Sequence, residues 1–294
     1  MEIKNISKTI NGKLLLDNIS LTINPGEIVG LVGRNGVGKT TLFRTVMGYY
    51  TPDSGTVEID NQPLLANPRL KAKIFMLQDQ LHAWDGYKVK TIKKFYQKTY
   101  PNFNGAKFDV LLRQVKLNPQ HKLGTYSKGM SGLFGLILAL SIGAEYLLLD
   151  EPMEGLDIIA QKKIMQILLE EVDKNQLGII ISSHRLQELE PIADYIHILK
   201  DNSIAKTYHL ETMREQAVKL QIAFKEKKLP ALLLEHGTVI QQFGRVYTLL
   251  IPELTPELRT QFQALDPIFM DELAVTLEDL FLYHLGDEEE VYAR

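Results

Sequence analysis

A glycine-rich segment near the N-terminus carries the residues with the clearest chemistry. GRNGVGKT, at residues 33–40, matches the pattern G-x-x-x-x-G-K-[ST], in which glycines allow backbone N–H groups to surround phosphate oxygens. In this pattern Lys39 would neutralise the outer phosphates and Thr40 would ligate Mg²⁺, while the N-terminus of the following helix adds partial positive charge. The segment predicts a nucleotide site formed by Gly33, Asn35, Gly36, Gly38, Lys39, Thr40 and Thr41.

A pair of carboxylates ends the apolar run in YLLLDEP, at residues 146–152. Side chains alternate along a strand, so Asp150 and Glu151 should point to different sides and serve different purposes. Asp150 best fits the acidic residue that holds Mg²⁺. Glu151, just past the strand end, best fits the base that orients or deprotonates an attacking water. A strand that simply stops at a charged turn is the plainer alternative, and the phosphate-binding pattern favours the catalytic interpretation.

Four other polar or small residues fit the same site less specifically. His184 follows an apolar strand at the sheet edge where ligands bind in open α/β folds, and it could donate a hydrogen bond to a terminal phosphate. Gln78 ends another strand-like run. Ser127 and Gly129 precede a buried helix and could hold a phosphate. On the residues alone, each of the four also fits a plain structural role.

The elements that must position these residues alternate between strand and helix. Buried strands are predicted at Glu27–Val32, Tyr146–Leu149 and Leu177–Ile181, and helices at Thr40–Met47 and Ile158–Val172. This alternation predicts a doubly wound α/β sheet with a helical subdomain inserted at about residues 80–140. A nucleotide-binding α/β domain is therefore expected over residues 1–210.

The character of the sequence changes beyond about residue 211. Alternating apolar residues start a new strand at Val218, a hairpin should turn near Gly244, and a helix should open at Thr255-Pro256. A last helix is predicted at Thr276, with Asp279 at capping-box spacing. Residues 211–294 should form a small α+β domain, whose role the sequence leaves open between regulation, dimerisation and covering the first domain.

Composition excludes several classes of protein. The chain has 33 basic and 36 acidic residues among 294, so its net charge does not indicate a nucleic-acid binder. It has no cysteine, which excludes disulfides, thiolate metal sites and cysteine nucleophiles. The longest uncharged stretch, residues 129–144, is shorter than the roughly 20 apolar residues that a bilayer requires, so we expect a buried helix there. The N-terminus shows no signal-peptide core, so secretion is not expected.

Taken in order and spacing, these motifs resemble the ATPase subunits of ATP-binding cassette (ABC) transporters. The resemblance covers roughly residues 1–207. It identifies Gln78 as the Q-loop glutamine, residues 126–130 (YSKGM) as the signature loop, Asp157 as the D-loop residue and His184 as the switch histidine.

The resemblance implies a P-loop NTPase cassette with an antiparallel β subdomain and an inserted helical subdomain. It also implies ATP and Mg²⁺ as cofactors. Glu151, His184 and Gln78 would then be catalytic. Thr40, Gln78 and Asp150 would hold the metal.

The resemblance further implies that two ATPase subunits, as a homodimer or a heterodimer, sandwich two ATP molecules head to tail. Each ATP would contact Lys39 and Thr40 of one subunit and Ser127 and Gly129 of the other. Asp157 is also expected to be an ATP-binding residue. A separately encoded integral-membrane permease would hold the subunits at the inner face of the cell membrane. No nucleic acid is expected as a partner.

Finer details are similar to bacterial drug, peptide or antibiotic exporters. These details are the YSKGM form of the signature and the C-terminal segment at residues 277–282. The sequence also departs from the family, because Ile10 stands where many members have an aromatic residue that stacks on adenine. The competing function is a soluble ABC ATPase acting on nucleic acid or ribosomes. Such proteins usually carry two cassettes or long coiled coils, and this chain shows neither.

Overall fold

A computed structural model of the chain describes residues 1–77, 82–212, 217–226 and 229–279. The chain divides into two compact units, Met1–Thr207 and Tyr208–Arg294. The predicted Q-loop residue Gln78 and the end of the 277–282 segment lie outside the described residues.

The first unit is built on a six-stranded sheet whose order is β10-β9-β3-β8-β7-β6. The strands β6, β7, β8, β3 and β9 run parallel, and the central pair is β3 with β8. β3, β7 and β8 are buried along their whole lengths, as their continuous apolar sequences predict for strands covered on both faces. The strands are β3 (Ile28–Val32), β6 (Ile74–Leu77), β7 (Tyr146–Asp150), β8 (Gly178–Ser183), β9 (Tyr195–Lys200) and β10 (Ser203–His209).

A second sheet of the first unit is antiparallel, with the order β2-β1-β4-β5. Its strands are β1 (Glu2–Ile10), β2 (Lys13–Thr22), β4 (Ser54–Ile59) and β5 (Gln62–Pro63). Ile19 and Leu21 of β2 are buried while their neighbours are exposed, which is the predicted alternation. One apolar core joins residues of this sheet, such as Ile6, to Phe43 and to Leu148 of β7. This core therefore packs both sheets of the first unit against the segment that follows the phosphate-binding loop and contains Phe43.

Helices connect and cover the parallel sheet. They are α1 (Lys39–Val46), α2 (Pro68–Lys71), α3 (Val89–Thr99), α4 (Gly105–Gln114), α5 (Lys128–Ser141), α6 (Ile158–Asn175) and α7 (Leu186–Leu189). Helices α3 to α5 lie between β6 and β7 in the chain, where the helical insertion was predicted. Phe108 of α4 and Phe134 of α5 are fully buried and meet edge to face, with ring centroids 6.1 Å apart.

The apolar helix α5 differs from its prediction at the start. It begins at Lys128, so Gly129 lies in its first turn and does not precede it, and the Ser127 side chain caps this turn by accepting a hydrogen bond from the Met130 N–H. In the part of the chain that the structure describes, no helix is both long and apolar enough to cross a membrane.

The second unit contains a βαββαβ arrangement in the order β11, α8, β12, β13, α9, β14. Its elements are β11 (Val218–Ala223), α8 (Ala231–His236), β12 (Thr238–Phe243), β13 (Val246–Ile251), α9 (Pro256–Gln263) and β14 (Phe269–Leu273). The sheet order β12-β13-β11-β14 with antiparallel pairs is that of a split βαβ, or ferredoxin-like, fold. Leu233 of α8 and Phe262 of α9 pack on Leu220 and Leu249 of the sheet.

Candidate functional site

The glycine-rich loop connects β3 to α1 and cannot accept side chains at two positions. A Cβ on Gly33 would lie 2.7 Å from the carbonyl oxygen of Leu199, and one on Gly38 would lie 2.6 Å from that of Leu15. Gly38 also has a φ of 121°, which side-chain-bearing residues rarely adopt. The backbone is therefore packed tightly behind the loop, and this leaves the N-terminus of α1 open for an anion.

Lys39 is the first residue of α1, at the end of this loop, and is 5% exposed. Its Nζ atom donates to the Gly33 carbonyl at 2.6 Å and forms an ion pair with Glu151 Oε1 at 3.0 Å. These contacts hold the ammonium group at the mouth of the loop, where it can neutralise phosphate oxygens. The glycine cradle and Lys39 together fit the phosphates of a nucleotide.

Thr40 and Asp150 meet where α1 begins and β7 ends. The Thr40 hydroxyl donates to Asp150 Oδ2 at 2.7 Å, so a hydroxyl and a carboxylate oxygen lie side by side. Such hard oxygen donors fit Mg²⁺, which usually binds one or two protein oxygens together with phosphate and water. Within the described ranges no group of three or more His, Cys, Asp or Glu residues is placed to hold a metal ion.

Glu151 follows β7 with a φ of 47°, in the left-handed region. Its direction is therefore set by this turn and not by the strand alternation that the sequence suggested. Its carboxylate contacts Lys39 through Oε1 and His184 Nδ1 through Oε2, the latter at 2.8 Å. Burial raises the pKa of Glu151, but the hydrogen bonds from His184 and Lys39 outweigh burial, so the pKa lies below its usual value. Glu151 is thus an ionised carboxylate at neutral pH.

His184 lies directly after β8 and is brought to Glu151 from a different strand, as its predicted position at the sheet edge requires. The two residues are 33 positions apart in sequence. The contact with Glu151 uses only Nδ1 of His184, so the second ring nitrogen, Nε2, is left for a further hydrogen bond. The sequence placed His184 at the site but did not predict its contact with Glu151.

A cavity of about 340 Å³ lies in front of these groups. It is of a size typical of small-molecule sites. Lys39, Asp150 and Glu151 line it, and so do the following predicted residues: Asn35, Gly36, Gly38, Thr40 and Thr41.

Ser127, Gly129 and Asp157 are not among the described residues that line this cavity. Ser127 caps α5 and is exposed, and Asp157 caps α6 by accepting from the Ala160 N–H at 2.8 Å. A Cβ on Gly129 would meet only ordinary contacts, at 3.8 Å or more. Ser127 and Gly129 thus lie outside this cavity, although their neighbours Lys128 and Ser131 line a second cavity together with Asp150 and Glu151.

Sequence reasoning missed Ser182, which lies on β8 beside the end of β7. Its hydroxyl donates to Asp150 Oδ1 at 2.7 Å and accepts from the Glu151 N–H at 2.9 Å. The available signal was a hydroxyl at the carboxyl end of a buried strand, two residues before His184.

Similarity to known proteins gives the family. The family model described as "ABC transporter" matches residues 16–154. ABC transporter ATP-binding protein YtrB of Bacillus subtilis (strain 168) is 32% identical over 286 residues, which span 97% of this chain and 98% of YtrB. This chain belongs to the ABC transporter ATP-binding proteins. The family resemblance drawn from the sequence is confirmed.

Two further proteins resemble this ABC ATPase. Bacitracin transport ATP-binding protein BcrA of Bacillus licheniformis is 26% identical over 254 residues, or 83% of each chain. The dimeric structure of MJ0796, described as a bacterial ABC transporter cassette, superposes with a TM-score of 0.63 at 23% identity. The match covers 71% of this chain and 98% of MJ0796, and it confirms the predicted P-loop cassette fold. The chain is thus an ATPase and an ATP-binding subunit of an ABC transporter.

Proposed function

We propose that the ABC ATPase hydrolyses ATP in the cavity between the 33–40 loop and the end of β7. The observation that carries this proposal is the continuous contact from Lys39 through Glu151 to His184, with distances of 3.0 and 2.8 Å. It unites a cation for phosphate, an ionised carboxylate for water and an imidazole for developing charge. Gln78 is proposed to add an amide to the water and metal.

The residues around this cavity have different proposed roles. Glu151 orients the attacking water, and His184 donates to the γ-phosphate as charge develops there. Thr40 and Asp150 are the proposed protein ligands of Mg²⁺, which would neutralise charge on the β- and γ-phosphates. Lys39 holds the same phosphates from the loop side.

The partner in hydrolysis is proposed to be a second copy of this chain in a head-to-tail dimer. Ser127 and Gly129 sit at the N-terminus of α5, where Ser127 is exposed and can reach a nucleotide that another chain holds. Beside Asp157, Ile158 is 71% and Ile159 is 82% exposed, an apolar pair that a second subunit would cover. One chain carries both halves of such a site, so two copies suffice.

The cassette is further proposed to drive export through a separate integral-membrane permease, which would hold it at the inner face of the membrane. Five aromatic side chains on and next to α3 form a series of ring contacts: Trp84, Tyr87, Phe95, Tyr96 and Tyr100. Tyr87 is 52% and Phe95 is 47% exposed, so the cluster offers an apolar docking surface close in sequence to the proposed Q-loop. The similarity to BcrA supports a role in transport.

Two substitutions test the hydrolytic site. Glu151→Gln should lower kcat by about 10²–10⁴, the usual contribution of a positioned base, and leave ATP affinity near that of the wild type. Lys39→Ala should lose binding of a fluorescent ATP analogue. Glu170→Gln, on the exposed face of α6, is the matched control and should keep wild-type turnover. Normal turnover by Glu151→Gln would rule out its assignment as the base.

Permease docking is tested in membranes. The tagged chain should co-fractionate with membranes and co-purify in mild detergent with a protein of several transmembrane helices. A Tyr87→Ala/Phe95→Ala variant should move to the supernatant and keep its ATPase activity. A wild-type chain found wholly in the supernatant would contradict the proposed partner.

A further inference from the structure

Ser182 occupies a position from which it can control both carboxylates of the site. It pairs directly with Asp150 in the parallel register of β7 and β8, and it is 1% exposed. A buried hydroxyl in a core strand needs hydrogen-bond partners, and Ser182 finds them in Asp150 and Glu151.

The two hydrogen bonds of Ser182 have different roles. Its single proton goes to Asp150 Oδ1, while its oxygen accepts the N–H of Glu151. Thr40 donates to the other carboxylate oxygen, Oδ2, so Asp150 is held from both sides. These two hydrogen bonds fix the rotation of the Asp150 carboxylate and direct its Oδ2 atom towards Thr40.

The hydrogen bond to the Glu151 N–H acts on the backbone. Glu151 has a φ of 47°, which a glutamate adopts only when its surroundings hold it there. Its carbonyl accepts from the Glu154 N–H at 3.1 Å, and its N–H is held by Ser182. The left-handed turn is what directs the carboxylate to Lys39 and His184.

We propose that Ser182 is a positioning residue for ATP hydrolysis, which uses one hydroxyl to orient the Mg²⁺-binding carboxylate of Asp150 and the backbone of the base Glu151. This inference rests on the proposed function of the site. It assigns to one buried serine the coupling of metal binding and water activation, because both depend on the same oxygen atom.

Three substitutions separate this role from simple packing. Ser182→Ala removes the hydroxyl, Ser182→Cys replaces it with a somewhat larger thiol that is a much weaker donor and acceptor, and Ser182→Thr retains the hydroxyl. Ser141→Ala is the matched control, because Ser141 is 0% exposed and its hydroxyl donates to the Ile137 carbonyl of its own helix.

The measurements are kcat and KM for ATP, binding of a fluorescent ADP analogue in EDTA, and the Mg²⁺ concentration that half-saturates Mg²⁺-dependent ADP binding. Ser182→Ala and Ser182→Cys should lower kcat about 10–100-fold and raise the required Mg²⁺ concentration by a similar factor, with wild-type binding in EDTA. Ser182→Thr should recover most of kcat. Ser141→Ala should change neither kcat nor the required Mg²⁺ concentration.

The inference is overturned if a Ser182→Ala or Ser182→Cys protein that binds nucleotide in EDTA keeps either wild-type kcat or the wild-type Mg²⁺ requirement. If Ser182→Ala does not fold, the Cys variant decides. A wild-type chain with no turnover would contradict the proposed function instead, and the Mg²⁺ dependence of ADP binding would still decide the role of Ser182.

Discussion

At the level of single residues, two histidines near the parallel sheet differ in their surroundings: one follows a strand at the proposed ATP site, and the other is buried within a strand. His184 lies past the end of β8 and shares a hydrogen bond with Glu151. His197 lies inside β9, is 7% exposed and bonds to Thr207 through Nδ1 at 2.8 Å. Burial lowers the pKa of His197 from 6.5 to about 4, so this imidazole is neutral in the folded chain at neutral pH.

The buried His197 predicts a loss of stability in mild acid. Between pH 6.5 and pH 4 the unfolded chain binds a proton at this site and the folded chain does not, so the free energy of unfolding falls as pH falls. The loss should reach about 2 kcal/mol on going from pH 7.5 to pH 5. Urea unfolding followed by fluorescence of the single tryptophan, Trp84, measures it.

His197→Gln keeps an amide that can bond Thr207 but cannot titrate. Its free energy of unfolding should therefore change less than that of the wild type between these two pH values. An equal change in both proteins would mean that His197 is not the cause.

The residues proposed to contact ATP, Mg²⁺ or water could be predicted from the sequence, because their types and their local sequence patterns are enough to identify them. Lys39 lies in a recognisable loop, and Asp150, Glu151 and His184 follow apolar strands. Ser182 could not be predicted in the same way, because its role depends on the register that places it beside Asp150, 32 residues away. Strand register is a long-range property, and residue spacing along one segment does not determine it.

At the scale of elements, the phosphate loop depends on the close approach of neighbouring backbone. Gly38→Ala would place a Cβ against the Leu15 carbonyl at a φ of 121°. We expect at least about tenfold weaker binding of a fluorescent ATP analogue, equivalent to about 1.4 kcal/mol. Gly244→Ala is the matched control, since Gly244 has a φ of 61° but an added Cβ would meet nothing within 4 Å. Equal nucleotide affinity in the two variants would contradict this account of the loop.

A second prediction concerns Ser127, the residue that caps the N-terminus of α5. Ser127→Asp should keep the thermal stability of the chain, because Asp caps helices as well as Ser and its charge favours a helix N-terminus. The same charge would repel the γ-phosphate held by a second subunit. In a Glu151→Gln background, we expect ATP-dependent dimerisation to be lost on size-exclusion chromatography.

Ser127→Ala provides the comparison, because it removes the cap at a cost of about 1 kcal/mol and adds no charge. If Ser127→Asp dimerises with ATP as well as the parent, Ser127 does not face the partner's nucleotide.

At the scale of the whole molecule, each unit has its own apolar core. The sequence predicted the hairpin at Gly244 and the helix capped by Thr255, because turn and cap residues act locally. It did not predict α8, whose six residues are too short and too apolar to distinguish from a strand, or the sheet order of the split βαβ. The sheet order depends on pairing between distant strands, and α8 depends on the packing of Leu233 in the core of this unit.

The central claim is that one chain supplies half of each ATP site and its partner supplies the other half. Mixing two inactive variants of the full chain, Lys39→Ala and Ser127→Asp, tests it most directly. In a mixed dimer, the Lys39 side of the Ser127→Asp chain faces the intact Ser127 of the Lys39→Ala chain. One intact site forms in half of the dimers, so about a quarter of wild-type ATPase activity should return. A mixture no more active than its separate components would contradict the composite site.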